Sequence, residues 1–176
     1  LISENNLSVS DLILPIFVRD GKNKIEAIKS MPGVNRYSVD RLNVIMAKVK
    51  MYKIPMVALF PYINKKSKDK TGTEALNKNN LICKSIKFIK KRYSGVGIMT
   101  DVALDPYTSH GHDGILINNQ VDNDKTIKVL VDQAVLQAQM GCDVIAPSDM
   151  MDGRIGCIRS ALDQEGFEQV QILAYS

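Results

Sequence analysis

Three aspartates and both histidines of this 176-residue chain fall within residues 100–116, TDVALDPYTSHGHDGIL. Asp101, Asp105 and Asp113 bring carboxylates, His110 and His112 bring imidazoles, and Pro106, Gly111 and Gly114 bend the backbone between them. Carboxylates gathered in one place suit a hard metal ion or an ammonium group, and imidazoles extend the choice to zinc. A second polar set, Ser148, Asp149 and Asp152, follows the apolar run CDVIAP. Each residue also has an ordinary structural use. Asp113-Gly114 is a common turn pair, Asp152-Gly153 a common helix cap, and the two histidines would need an Asp/His ligand set because no cysteine lies near them. The clustering favours function for the loop as a whole.

The apolar run GVGIM before that loop and ILI after it have the pattern of a buried strand delivering a polar loop. Strands are expected at residues 12–17, 56–62, 95–104, 142–147 and 171–175, and each is continuously apolar rather than alternating. Pro15 hints at an edge or an irregularity in the first. Helices are expected between them: residues 39–53 capped by Ser38, 81–93, 124–140 capped by Asp124 and stopped by Gly141, and a short one within 155–166 closed by Gly166. Residues 30–38 read as a loop, and the lysine-rich residues 64–80 as a surface or functional loop.

Strands that alternate with helices and lack polar alternation indicate a parallel sheet covered by helices, an α/β fold. A chain of this length supports one domain, residues 1–176. Two architectures compete: an open doubly wound sheet of the flavodoxin kind, and the first five βα units of an eight-stranded TIM barrel. The barrel is favoured because no helix pattern follows residue 175. In either case ligands bind beyond the carboxyl ends of the strands, which places Asp101, Asp105, Ser148 and Asp149 at the candidate site. An incomplete barrel would leave its first and fifth strands with unpaired edges.

The net charge of +4 is spread along the chain, and the basic run at residues 84–93 lies opposite an apolar helical stripe, so no nucleic-acid role is indicated. Three widely spaced cysteines, Cys83, Cys142 and Cys157, form no C-x-x-C pair and indicate neither a disulfide framework nor a structural zinc. No apolar run is long enough to cross a bilayer, and no membrane partner is expected; the default setting is cytoplasmic.

The motifs LILPIFV, SMPGVNRYSVD, PMVALFP, TDVALDPYTSHGHDG and DVIAPSDMMDGRIG, spread in order over nearly the whole chain, resemble the porphobilinogen synthase (5-aminolevulinate dehydratase) family. The resemblance implies a (β/α)8 barrel with an N-terminal arm. It also implies a hydro-lyase of haem biosynthesis that condenses two 5-aminolevulinate molecules to porphobilinogen through lysine Schiff bases, with loss of two waters. In zinc-using members three cysteines occupy positions that here are Ala103, Asp105 and Asp113, so no active-site zinc is implied. Carried over, Asp105 and Asp113 contact the substrate amino group, with Asp101 as a further catalytic residue and Ser148 as a further substrate-binding one. Magnesium is implied at an allosteric site whose ligands lie outside this chain, as is assembly into a homo-octamer or hexamer. Both Schiff-base lysines are expected beyond Ser176; Lys22, Lys24 and the lysines of residues 65–70 match neither. On that reading the chain alone is inactive. The competing function is a flavodoxin-like module that binds a metal or phosphoryl group through its strand-end aspartates.

Overall fold

A computed structural model describes residues 4–175, and the expectations that touch residues 1–3 and 176 lie outside them. In chain order the elements are β1 (Ile13–Arg19), β2 (Ile25–Ala27), β3 (Asn35–Ser38), α1 (Leu42–Met51), β4 (Met56–Tyr62), α2 (Leu81–Arg92) and β5 (Gly97–Val102). The small hairpin β6 (Leu116–Ile117) and β7 (Gln120–Val121) follows, then α3 (Asn123–Gln139), β8 (Val144–Pro147), α4 (Arg154–Gln164) and β9 (Gln171–Ile172).

One sheet runs β2-β3-β1-β4-β5-β8-β9, and β1, β4, β5, β8 and β9 are parallel within it. Each of these five strands is added on the same side of the one before. A flavodoxin-like sheet reverses its direction of growth after its second strand, so the doubly wound reading is overturned; uninterrupted order is that of a barrel wall. The helices agree. Residues from all four α-helices, including Met46, Ile86, Leu130 and Ile158, pack with Val18, Leu59, Ile98 and Ile145 of the strands into one core on a single face. A fully buried side chain such as Leu59 contributes about 1.5–3 kcal/mol there.

The opposite face is the inner wall. Ala58, Met99, Val144 and Ala146 cluster there with Met56 and Phe60, and the Phe17 and Phe60 rings lie 5.7 Å apart. Side chains alternate along a strand. Asp101, two residues beyond Met99, and Ser148, two beyond Ala146, are thereby directed to this face just above the apolar layer.

Several local expectations are corrected. Residues 30–38 are not all loop: β3 pairs parallel with β1 over Phe17–Arg19 and antiparallel with β2, so the second half of β1 is covered while Ile13–Ile16 remain an edge. Arg19 and Arg36 both pair with Glu26 across this ribbon, which explains why charged residues stabilise it. Pro15 sits in the half of β1 that only β4 flanks, where a missing N–H is tolerated. Ser38 does not cap the first helix. Its hydroxyl takes the Lys24 N–H at 2.9 Å, a 3-10 turn at Val39–Arg41 intervenes, and α1 begins at Leu42. Asp122, not Asp124, caps α3, accepting from the Lys125 N–H at 2.9 Å. Gly141 and Gly166 do follow α3 and α4 with positive φ, as helix-stopping glycines. β9 forms the other end of the sheet, and Leu173 and Tyr175 extend its bonding to the Ile145 and Pro147 carbonyls.

The hairpin that closes the aspartate-rich loop is set by two short-range devices. Asn118 and Asn119 both have positive φ, as a two-residue turn of the I′ kind requires. Thr126, fully buried in the first turn of α3, accepts from the Ile115 N–H at 2.9 Å and donates to the Asp122 carbonyl at 2.6 Å. Gly114 fits beneath them because a Cβ there would lie 2.5 Å from Val121 Cγ1 and 2.8 Å from Thr126 Oγ1. Thr126→Val keeps the shape and removes the acceptor, leaving a part-buried N–H unpaired. Urea denaturation of that variant is expected to show a loss of about 1–3 kcal/mol; an unchanged midpoint and slope would remove Thr126 from this role.

Candidate active site

The end of β5 presents Asp101, and the adjoining end of β8 answers with Ser148, whose hydroxyl donates to Asp101 Oδ1 at 2.6 Å. Parallel pairing of the two strands sets this meeting, since Asp101 stands in register with Ala146. The half-buried Asp101 carboxyl is pushed up from 3.8 to about 6. Burial is the main cause, the Ser148 hydrogen bond opposes it, and repulsion from Asp105, Asp149 and Asp113 adds to it. Asp105 is also raised, first by burial and then by Asp113, against the pull of Lys68. The predicted site residues Asp101, Asp105, Asp113 and Ser148 are therefore brought into one acidic locus.

Two loops frame it. Asp105 and Pro106 occupy a tight turn closed by the Tyr107 and Thr108 N–H groups on the Leu104 carbonyl, with Tyr107 buried beneath. The lysine-rich loop packs against this turn: Asp69 makes a parallel bridge with Thr108, donating to the Tyr107 carbonyl and accepting from the Ser109 N–H. Lys68 Nζ reaches the Asp105 carbonyl at 3.4 Å. Asp69 in turn organises its own loop, accepting from Thr71 and Thr73, and these bonds hold its carboxyl down at about 2. A cavity of about 430 Å³ lined by Arg19, Asp20, Tyr62, Lys65 and Lys68 lies on the other side of Lys68, at the ends of β1 and β4.

His110 is not free to ligate a metal in this arrangement. His110 Nδ1 accepts from the His112 N–H at 3.1 Å, which leaves Nε2 as the protonated nitrogen facing the Lys70 carbonyl at 3.1 Å. Both ring nitrogens are thus spent on holding loops. Nor do the residues fit a zinc at the positions of Ala103, Asp105 and Asp113. Ala103 is buried and has no donor side chain, and its carbonyl is occupied by Gln133 Nε2 at 3.3 Å. Among the described residues no group of three or more His, Cys, Asp or Glu is placed to hold a metal ion.

Pattern reading underweighted four residues. Asp149 is completely buried and raised by burial, held by the Met151 N–H at 2.8 Å and by Arg154, whose Nε lies 3.1 Å from Oδ2 but off the hydrogen-bond direction. Asn123 links α3 to the β8 loop, accepting from the Asp152 N–H and donating to its carbonyl. Gln133 and Gln137 reach the strand end from behind. Their one visible signal is a polar residue at a core-facing helical position. Of the cysteines, Cys83 and Cys142 are buried, their thiols raised to about 11, and Cys157 is exposed.

The Asp101 assignment has a measurable consequence. Between pH 4 and 6 the folded chain holds a proton that the unfolded chain releases, so this group makes stability fall as pH rises through that window. Asp101→Asn is expected to abolish the fall, which amounts to at most about 3 kcal/mol. Carboxyl 13C titration should place Asp101 near 6, moved higher by Ser148→Ala and lower by Asp105→Asn. A midpoint at the ordinary 3.8 would contradict the buried, repelling cluster.

The model of the delta-aminolevulinic acid dehydratase family matches residues 1–176. The delta-aminolevulinic acid dehydratase of Bradyrhizobium diazoefficiens is 51% identical over 176 residues, covering all of this chain and 50% of its own length. That of Chlamydia pneumoniae is 47% identical over 176 residues, again covering all of this chain and 53% of its own. The crystal structure of delta-aminolevulinic acid dehydratase (porphobilinogen synthase) from Toxoplasma gondii ME49, in complex with the reaction product porphobilinogen, superposes with a TM-score of 0.96 at 39% identity. It covers 99% of this chain and 50% of that one. The chain spans about half the length of the curated relatives it matches. Matched by the family over its full length, the chain belongs to the delta-aminolevulinic acid dehydratase family.

Proposed function

We propose that this chain supplies the acidic half of an active site that condenses two 5-aminolevulinate molecules to porphobilinogen with loss of two waters. The observation that carries the reading is the set of half-buried, mutually repelling carboxylates on the inner wall of a barrel of this family. Such a cluster lowers its energy by taking up a cation, and the ammonium group of the substrate is one of the right charge and size. Asp105 and Asp113 would hold that ammonium. Its nitrogen must lose a proton before it can attack a carbonyl carbon, and Asp101, titrating near 6, is tuned to accept one at neutral pH. Ser148 would keep the Asp101 carboxylate aimed at the substrate. The Schiff-base step expected from the family resemblance is assigned to no residue of this chain.

The same reading assigns no zinc to the site. The carboxylates take over the electrostatic work, and magnesium, if used, acts at an allosteric site outside these residues. Self-association of barrels and a cytoplasmic setting belong to the same proposal. No helix among the described residues is long and apolar enough to cross a membrane.

In an enzyme carrying this chain, Asp105→Asn is expected to lower kcat by about a hundred-fold or more. The melting temperature should hold or rise, because the substitution removes a repelling charge. Activity should also survive a zinc chelator. Unchanged turnover, collapse of the fold, or loss of activity restored by zinc alone would each refute the assignment.

A further inference from the structure

The core-facing side of α3 carries two amides among apolar neighbours. Gln133 and Gln137, one turn apart, are 1% and 2% exposed, and Leu130, Ala134 and Ala138 beside them are buried as well. A Met or Leu would fill the same space without the cost of burying an amide. Both amides reach the end of β5. Gln137 Nε2 donates to the Asp101 carbonyl at 3.0 Å, while its Oε1 accepts from Thr100 Oγ1 at 2.8 Å. Gln133 Nε2 donates to the Ala103 carbonyl at 3.3 Å, and its Oε1 is buried without a partner.

The place of these bonds matters. Pairing between β4 and β5 stops at Leu59 with Thr100, and pairing between β5 and β8 stops at Val102 with Pro147. Where the sheet's own ladder lets go, the chain must still leave the barrel rim in one direction for Asp101 to meet Ser148 and for Asp105 to sit over it. The two side-chain amides replace the missing ladder on one side. The Asp101 carbonyl can only accept, so it fixes which end of the Gln137 amide faces it, and the Thr100 hydroxyl then donates to Oε1.

We infer that Gln133 and Gln137 are positioning residues, which grip the peptide carbonyls of Asp101 and Ala103 and thereby aim the acidic rim of the barrel. They touch no substrate; they act through the backbone that carries Asp101 and the Asp105 turn. The catalytic consequence rests on the function proposed above, whereas the structural one does not.

The test uses Gln137→Met and Gln133→Met in an enzyme carrying this chain, for both titration and kinetics. Loss of the grip should let the rim relax toward water, so the Asp101 titration midpoint should fall by half a unit or more in each variant. In the enzyme kcat should drop about ten- to a hundred-fold, the scale of a small misplacement, with KM changed less than about three-fold. Thr100→Val should move the midpoint in the same direction alone and add nothing in the Gln137→Met background. A folded Gln137→Met enzyme with an unmoved Asp101 midpoint would overturn the inference. Additive Thr100 and Gln137 effects, or failure of both methionine variants to fold, would overturn it too, since core packing then accounts for the amides. A moved midpoint with unchanged kcat would uphold the grip and refute the active-site reading instead.

Discussion

The arrangement turns on carboxylate charge confined at the rim of a half-dry barrel wall. Asp101 stands directly above the apolar layer of Met99 and Ala58, so its ionised form is short of water. Asp105, Asp113 and Asp149 add negative charge to the same locus. The surroundings compensate only in part. Ser148 gives Asp101 one hydrogen bond, Arg154 faces Asp149 without good alignment, and Lys68 stands beside Asp105. A site left with net negative charge in low dielectric is poised to bind a cation, and that single imbalance links the fold to the proposed chemistry.

Stability and chemistry are divided between the two ends of the strands. At the amino-terminal end, Asp143 takes the Ile98 N–H at 2.7 Å and both of its oxygens meet Lys90, at 2.6 and 2.7 Å. Arg159 closes the α4–β9 turn by donating to the Phe167 and Val170 carbonyls while pairing with Asp163. Charges there are matched. Around Asp101 and Asp105 at the carboxyl-terminal end they are not, although Arg19 at the end of β1 pairs with Glu26; this is the division expected when the lower rim holds a barrel together and the upper rim acts.

Much of this was legible in the residues. The five continuous apolar runs identify the parallel strands, and the aspartates after GVGIM and DVIAP mark the rim, because hydrophobic periodicity and strand-end polarity are local signals. The strand order, which separates a barrel from a doubly wound sheet, was not legible from periodicity, since it is a property of pairing at a distance. The ribbon of β2 and β3 was hidden because its few residues are held by Arg36, Glu26 and Arg19 rather than by apolar alternation. The Asn118-Asn119 turn was visible in principle as paired asparagines. The histidines misled in the opposite direction: their type suggests ligation, yet the backbone of the lysine-rich loop claims His110. The roles of Gln133 and Gln137 needed coordinates, because an amide's partner lies across the helix–sheet interface.

The central claim, that aspartates rather than a metal recognise the substrate ammonium, is tested most directly with two ligands that cannot react. 5-Aminopentanoate and pentanoate differ only by that ammonium group. Calorimetric titration of an enzyme carrying this chain should show the amino compound binding at least about ten-fold more tightly, the scale of one charge-assisted hydrogen bond. The preference should vanish in the Asp105→Asn/Asp113→Asn double variant. Equal affinities in the native enzyme, or a preference that survives loss of both aspartates, would contradict the account.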